Sequence, residues 1–265
     1  MMQATTYAII GMGNVGRTLA TRLLAVGIPA EGILICDSNS TRAESAAKEF
    51  NARPVSLTDA PVCQANVLLL ATPPKNTPAI LRQLATMLTP RQVVVSFAAA
   101  IPLARLEALL PAGVAVVRVM PNAPSLVGKG MNPVVYGTSV TFEAKALTEP
   151  ILAALGKTLE VHDEQMNWCV GLSGAAMRSL LPALEGMTQA GVEAGFAEND
   201  SRLLAAQVMF GTAALVLETG LSFDEIKSLT PMQTVDEQAV AKLYRDAARA
   251  AKEKIDQLQS KIAAD

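Results

Sequence analysis

The sequence is short of the residues that build several kinds of functional site. It has one histidine, His162, and three cysteines, Cys36, Cys63 and Cys169, with no C-x-x-C spacing. A zinc centre needs about four convergent nitrogen or sulfur ligands, so no metal site is expected. The odd cysteine count and apolar surroundings read as buried free thiols rather than a disulfide framework. His162 stands in Val-His-Asp-Glu-Gln without a second His or Cys nearby and reads as a structural or surface residue. Charged residues are only 17% of the chain and nearly cancel, 22 basic against 24 acidic for a net charge of −2. Such a balance makes no field that attracts phosphates, so nucleic acid is not an expected partner. Long apolar runs are also missing. Arg, Lys, Asp, Pro or Gly interrupts each stretch before the ~18 residues of a membrane span, and no membrane partner is expected. Met1 to Ala8 lacks the basic flank and small-residue cleavage site of a secretory signal, which points to the cytoplasm.

What is present is apolar and periodic. Hydrophobic residues make up 51% of 265, enough for a sizeable core in one large domain or two ordinary ones. Short, nearly all-apolar runs predict strands at Tyr7 to Ile10, Ile33 to Cys36, Val67 to Leu70, Val93 to Ser96, Val114 to Val119 and Val134 to Tyr136. Between them, Val15 to Val26, Arg42 to Phe50, Thr77 to Leu88 and Leu103 to Leu110 each carry an apolar face at helical spacing. The alternation predicts an α/β fold, a Rossmann-type doubly wound parallel sheet over residues 1–163. From Met166 onward the chain shows no convincing strand. It is Ala- and Leu-rich, punctuated by Gly195, Gly220 and Pro231, and ends in Val235 to Ile262, which reads as a helix with one wet face. Residues 164–265 are therefore expected to be all helical, with too few helices to cover their own apolar residues, so a homodimer or higher homo-oligomer is expected.

Ile9-Ile10-Gly11-Met12-Gly13-Asn14-Val15-Gly16 places G-x-G-x-x-G directly after a strand and at the opening of a helix. In that context Gly11 allows the tight turn, Gly13 lets the backbone approach a pyrophosphate and Gly16 lets helix and strand pack closely. The amides from Met12 to Val15 then face the anion. Asp37 closes the second predicted strand at about the 20-residue distance of the acid that binds a ribose 2′-hydroxyl, which favours NAD over NADP. Ser38, Asn39, Ser40 and Arg42 are the competing set for a 2′-phosphate, and a helix cap is the structural alternative for Asp37. Met120-Pro121-Asn122 also follows a predicted strand on the carboxyl edge, where open parallel sheets bind ligands. The prolines stiffen a loop that presents an amide with donors and an acceptor.

Three segments together resemble the pyrroline-5-carboxylate reductase family: the amino-terminal glycines, Arg118-Val119-Met120-Pro121-Asn122-Ala123-Pro124 with Val127-Gly128-Lys129-Gly130-Met131, and Val170-Gly171-Leu172-Ser173-Gly174. The resemblance extends over essentially the whole chain. It implies a nucleotide-binding domain plus a helical domain that interlocks with a second subunit, NAD(P)H as cofactor, and reduction of a cyclic imine to proline. It also implies that the loops Ser96 to Ala100 and Met120 to Pro124, with Ala71, Pro73 and Ala98, lie beside the nicotinamide and the substrate. Ser173, Gly174, Asn122, Gln233 and Thr234 fall at its substrate positions, with Ser173 or Thr234 as proton donor if a neutral imine is bound.

The chain departs from the family in places. Ala71-Thr72-Pro73-Pro74-Lys75 stands where the family has Val-Lys-Pro. Ser173-Gly174-Ala175-Ala176-Met177-Arg178-Ser179 stands where it has Ser-Gly-Ser-Gly-Pro-Ala-Tyr, and Thr230-Pro231-Met232-Gln233-Thr234 where it has Ser-Pro-Gly-Gly-Thr-Thr. Met and Gln neither prefer the positive φ of a glycine pair nor leave its amides open to an anion. Arg178, in an apolar helical stretch, needs an anion or water: a substrate carboxylate, Glu185, Glu193 or Glu218 as an internal partner, or solvent reached by snorkelling to the surface. The main reading is a reductase of a C=N bond in a small carboxylated substrate. A reductase of another cyclic imine or of a keto acid, and a non-catalytic NAD(P)-binding regulatory protein, are the alternatives.

Overall fold

The computed structural model describes residues 5–264. By contacts the chain divides into two units, Met1–Gly174 with Ala250–Asp265, and Ala175–Arg249. The division falls later than the 163/164 boundary expected from composition. Met166–Cys169 and the residues up to Gly174 belong to the first unit, as does the end of the carboxyl-terminal helix with Ile255 and Ile262.

The first unit is an eight-stranded sheet in the order β3-β2-β1-β4-β5-β6-β7-β8. The strands are β1 Tyr7–Ile10, β2 Ile33–Cys36, β3 Arg53–Pro54, β4 Val67–Leu70, β5 Val93–Ser96, β6 Ala115–Val119, β7 Gly130–Tyr136 and β8 Gly156–Glu160. The first six are parallel, in the order of a dinucleotide-binding sheet. Their side chains alternate between two apolar layers. Tyr7, Ile9, Ile33, Ile35, Leu69, Val95 and Val117 pack with the helices Asn14–Ala25, Ser40–Phe50 and Phe142–Leu155. On the other face, Ala8, Ile10, Leu34, Leu68, Leu70, Val94 and Val116 pack with Ala60–Gln64, Thr77–Ala85 and Leu103–Ala108, and with Ile255 and Ile262 of the last helix, Glu237–Ala264. Burial on both faces is why the central strands are legible as short, wholly apolar runs.

Four elements escape that pattern. β7 runs antiparallel to β6 and begins at Gly130 rather than Val134, where the buried polar Asn132 is satisfied sideways: it accepts from Ser125 Oγ at 2.7 Å and donates to the Lys157 carbonyl at 3.2 Å. β3 has two exposed residues and β8 is mostly exposed, so neither has an apolar signature. Phe142–Leu155 contains Pro150, which reads as a break, yet the helix continues through it.

The second unit is helical, with Ala176–Glu193, Glu198–Glu218, Phe223–Ser228 and the first part of Glu237–Ala264. Its first two helices meet closely at Gly191, where an added Cβ would lie 2.6 Å from Ser201 Oγ. The helix Glu198–Glu218 is long and apolar enough to cross a membrane by length and composition alone, although Arg202 and Gly211 interrupt its apolar run as the sequence reading has it. Gly211 and the polar residues within it broke the run in the sequence without lowering its average enough.

Candidate active site

Hydrogen-bonding register brings Ile10, Cys36, Leu70, Ser96 and Arg118 into one row at the carboxyl edge of the sheet. The chain leaves that edge in three stitched steps. Gly11 N–H donates to the Cys36 carbonyl at 2.8 Å, Ala71 N–H to Ile10 at 2.8 Å and Phe97 N–H to Leu70 at 3.0 Å. A cavity of about 1200 Å³ opens over this edge, from the β2 side at Asp37, Ser38, Ser40 and Arg42 to Phe97, Ala98 and Ala99 after β5.

Gly11 has φ +100°, and a Cβ there would stand 2.6 Å from the Ala71 carbonyl oxygen; at Gly16 it would stand 1.9 Å from that of Gly11. Gly13 differs: nothing lies within 4 Å of its missing Cβ, and it lines the cavity. The turn thus leaves open the volume in which a pyrophosphate would meet the amides that open the helix Asn14–Ala25. The residues fit a dinucleotide.

Asp37 lines the β2 end of the cavity. Its carboxylate accepts from Met12 N–H at 2.8 Å and Asn39 N–H at 2.9 Å, and Arg42 Nη1 approaches it at 3.5 Å. The cap of the next helix is Asn39, whose side chain accepts from Arg42 N–H, so Asp37 is not the cap. Cys36 lines the same wall. Burial, with Asp37 and Asp59 adding, pushes its thiol up to about 11, so it stays protonated at neutral pH and offers no nucleophile.

Of the expected cofactor residues, Gly11, Gly13, Asn14, Val15, Asp37, Ser38, Ala71, Pro73 and Ala98 line the cavity. Met12 and Gly16 act from behind it, Met12 through its amide on Asp37 with its side chain buried. Met120, Pro121 and Asn122 do not line it. Asn122 acts as a brace: its Oδ1 accepts from Met131 N–H at 3.1 Å and its Nδ2 donates to the Ser173 carbonyl at 3.3 Å. Ser173 is buried, and its hydroxyl donates to the Cys169 carbonyl at 2.7 Å, so its proton is already engaged. Gly174 follows at the end of the same unit, half-buried.

Arg178, Gln233 and Thr234 belong to the second unit and are exposed. Among the described residues Arg178 makes no ion pair, so Glu185, Glu193 and Glu218 are not its partners, and an exposed guanidinium is not costly in the folded chain. His162 is exposed as well, its N–H capped by Gln165 Oε1 at 3.0 Å. Lys75, Arg42 and the wall formed by Ser56, Leu57, Ile80 and Gln83 also line the cavity. That wall had no motif to reveal it, because it is assembled from loops and a helix distant in sequence.

Two features sit behind the β5 and β6 ends. Ala100 is buried at φ +61°, a left-handed conformation that costs an alanine roughly 1–2 kcal/mol. Arg118, 1% exposed, pairs through Nη1 with Asp163 Oδ1 at 2.7 Å, and Asp163 Oδ2 accepts from Leu103 N–H at 2.9 Å.

A doubly wound sheet with a glycine turn, an acid at the end of β2 and a long cavity over the carboxyl edge defines a nicotinamide-dinucleotide-dependent oxidoreductase. Comparison with known proteins agrees. Residues 6–100 match the family model described as NADP oxidoreductase coenzyme F420-dependent, and residues 163–258 the model described as pyrroline-5-carboxylate reductase dimerisation. The chain is 34% identical over 221 residues to the pyrroline-5-carboxylate reductase of Pasteurella multocida, covering 82% of this chain and 80% of that one. It is 30% identical over 227 residues to that of Corynebacterium melassecola, 84% of each. Solved structures share the fold: the Coxiella burnetii pyrroline-5-carboxylate reductase at TM-score 0.81, 24% identity and 97% and 99% coverage, and the Plasmodium falciparum pyrroline carboxylate reductase with NADP bound at 0.82, 20%, and 98% and 100%. The chain belongs to the pyrroline-5-carboxylate reductase family.

Proposed function

We propose that this chain reduces the C=N bond of 1-pyrroline-5-carboxylate to give proline, in the cytoplasm and as a homodimer or higher homo-oligomer. The observation that carries the reading is the cavity running from Asp37 past the glycine turn to Ala98 and Ala99, in a chain of this family. The bound dinucleotide supplies the hydride. The protein's own part is placement: the amides from Gly13 to Val15 hold the pyrophosphate, Asp37 takes the ribose hydroxyls, and Ala98 with Ala99 walls the opposite half. A substrate bound as the iminium brings its own proton, so the engaged hydroxyl of Ser173 need not supply one. Arg178, exposed and without an ion pair among the described residues, is the proposed partner of the substrate carboxylate, with Gln233 and Thr234. The test follows NADH and NADPH oxidation with this imine, then with other cyclic imines and keto acids. Turnover of another member alone favours the second reading, a rebuilt pocket, which Met232 and Gln233 in place of two glycines support.

NADH is the proposed preferred donor, because a 2′-phosphate placed against the Asp37 carboxylate is repelled. Asp37→Ser is expected to shrink the NADH-over-NADPH preference by about 1–3 kcal/mol. The ratio of the two dissociation constants is the quantity to measure, since losing the bonds to Met12 and Asn39 weakens both nucleotides alike. Tenfold tighter binding of NADPH to the wild type would reverse the assignment and make Arg42 a phosphate ligand.

A further inference from the structure

We propose that the pair formed by buried Arg118 and half-buried Asp163 is a positioning device for the nicotinamide half of the site, a role that rests on the reductase reading. Three segments that shape this half are tied to it. Arg118 ends the register row on β6, two residues before Met120 and beside Ser96 of β5. Asp163 binds it through one oxygen and, through the other, the first amide of the helix Leu103–Ala108. That helix is entered by the loop whose Phe97, Ala98 and Ala99 line the cavity and whose Ala100 is held left-handed. Asp163 also opens the segment that passes through Cys169 to Ser173, where Asn122 closes the circuit from the β6 side.

The pair is a poor choice for stability alone. Arg118 Nε and Nη2 are buried with no hydrogen-bond partner among the described residues, and a single ion pair to a half-buried carboxylate repays the desolvation of a buried guanidinium poorly. What it provides is direction: one carboxylate fixed at once to β6 and to the first amide of the helix that follows the loop carrying a strained residue. Such strain persists only where the surroundings over-determine it, and it gathers where geometry serves function. In a dinucleotide-binding sheet the β1–β2 side takes the adenosine half and the β4–β6 side the other, so this pair acts on one half of the cofactor only.

Asp163→Asn keeps an acceptor for Leu103 while removing the charge, and Arg118→Lys keeps the charge while removing the fork. For both, ADP-ribose affinity, anisotropy of bound NADH fluorescence, kcat, KM and melting temperature are measured. The expected result is ADP-ribose affinity and KM within about twofold of wild type, reduced anisotropy of the bound nicotinamide, and kcat at least about tenfold lower. With [4,4-²H₂]NADH the isotope effect on kcat should rise as hydride transfer becomes limiting. A lower melting temperature with kcat and anisotropy unchanged overturns the proposal, as does equal weakening of ADP-ribose and NADH. Failure of either variant to yield folded protein while the other retains wild-type kcat and anisotropy also overturns it, and so does failure of both to fold, because the pair is then a requirement of the fold. If the wild type does not reduce the imine, the functional reading fails, and ADP-ribose affinity with anisotropy still decides the role of the pair.

Discussion

Gly16→Ala is expected to lose NADH affinity by roughly 100-fold and to lower thermal stability as well. The new Cβ would stand 1.9 Å from the Gly11 carbonyl oxygen, so helix and turn must part by more than 1 Å. Overpacking of this kind costs about 1–3 kcal/mol of stability. The same displacement moves the amides off the pyrophosphate, and a misplacement of ~1 Å commonly costs about 100-fold where geometry decides the interaction. Gly13→Ala supplies the contrast. Its Cβ meets nothing within 4 Å in the protein and projects where the cofactor must approach, so it should melt like wild type yet bind NADH poorly. Calorimetric titration and thermal melts of both variants separate the roles; equal losses of stability in the two would refute the assignment.

Assembly gives the second large effect. On the helix Glu198–Glu218, Leu203, Phe210 and Leu217 follow one another at seven-residue intervals and therefore share a face, and they are 66%, 63% and 81% exposed in the single chain. Residues 163–258 match a dimerisation model, so a second copy is the expected cover. An interface of this kind usually buries about 2,000 Å² or more. The double substitution Leu203→Glu and Phe210→Glu should convert the wild-type oligomer into unstable monomer or aggregate at micromolar concentration, as read by sedimentation velocity. A wild-type protein that sediments as a stable monomer would contradict the account.

The sequence displayed what is local and missed what is assembled. Four strands have the limits that the sequence predicts, because a strand buried on both faces is almost wholly apolar and stands out from its flanks. The glycine turn was legible because close backbone approach admits only glycine at Gly11 and Gly16. Asp37 was legible by spacing, but its bonds to Met12 and Asn39 were not. Asn122 stood out as a polar residue in a stiff loop, but its bonds to Met131 N–H and to the Ser173 carbonyl were not legible. The Arg118–Asp163 pair joins residues 45 apart in sequence and has no periodicity to reveal it. For Arg178 an apolar neighbourhood in sequence left burial and the surface both open, and the helix turns that position to the surface of the single chain.

The central claim is hydride transfer to an imine carbon, and isotope transfer tests it most directly. The protein is incubated with [4,4-²H₂]NADH and 1-pyrroline-5-carboxylate, and the product is examined by mass spectrometry and NMR. The account predicts proline carrying one deuterium on the ring carbon that was the imine carbon, formed with one equivalent of NAD⁺. Tight NADH binding without labelled proline from this substrate would contradict it.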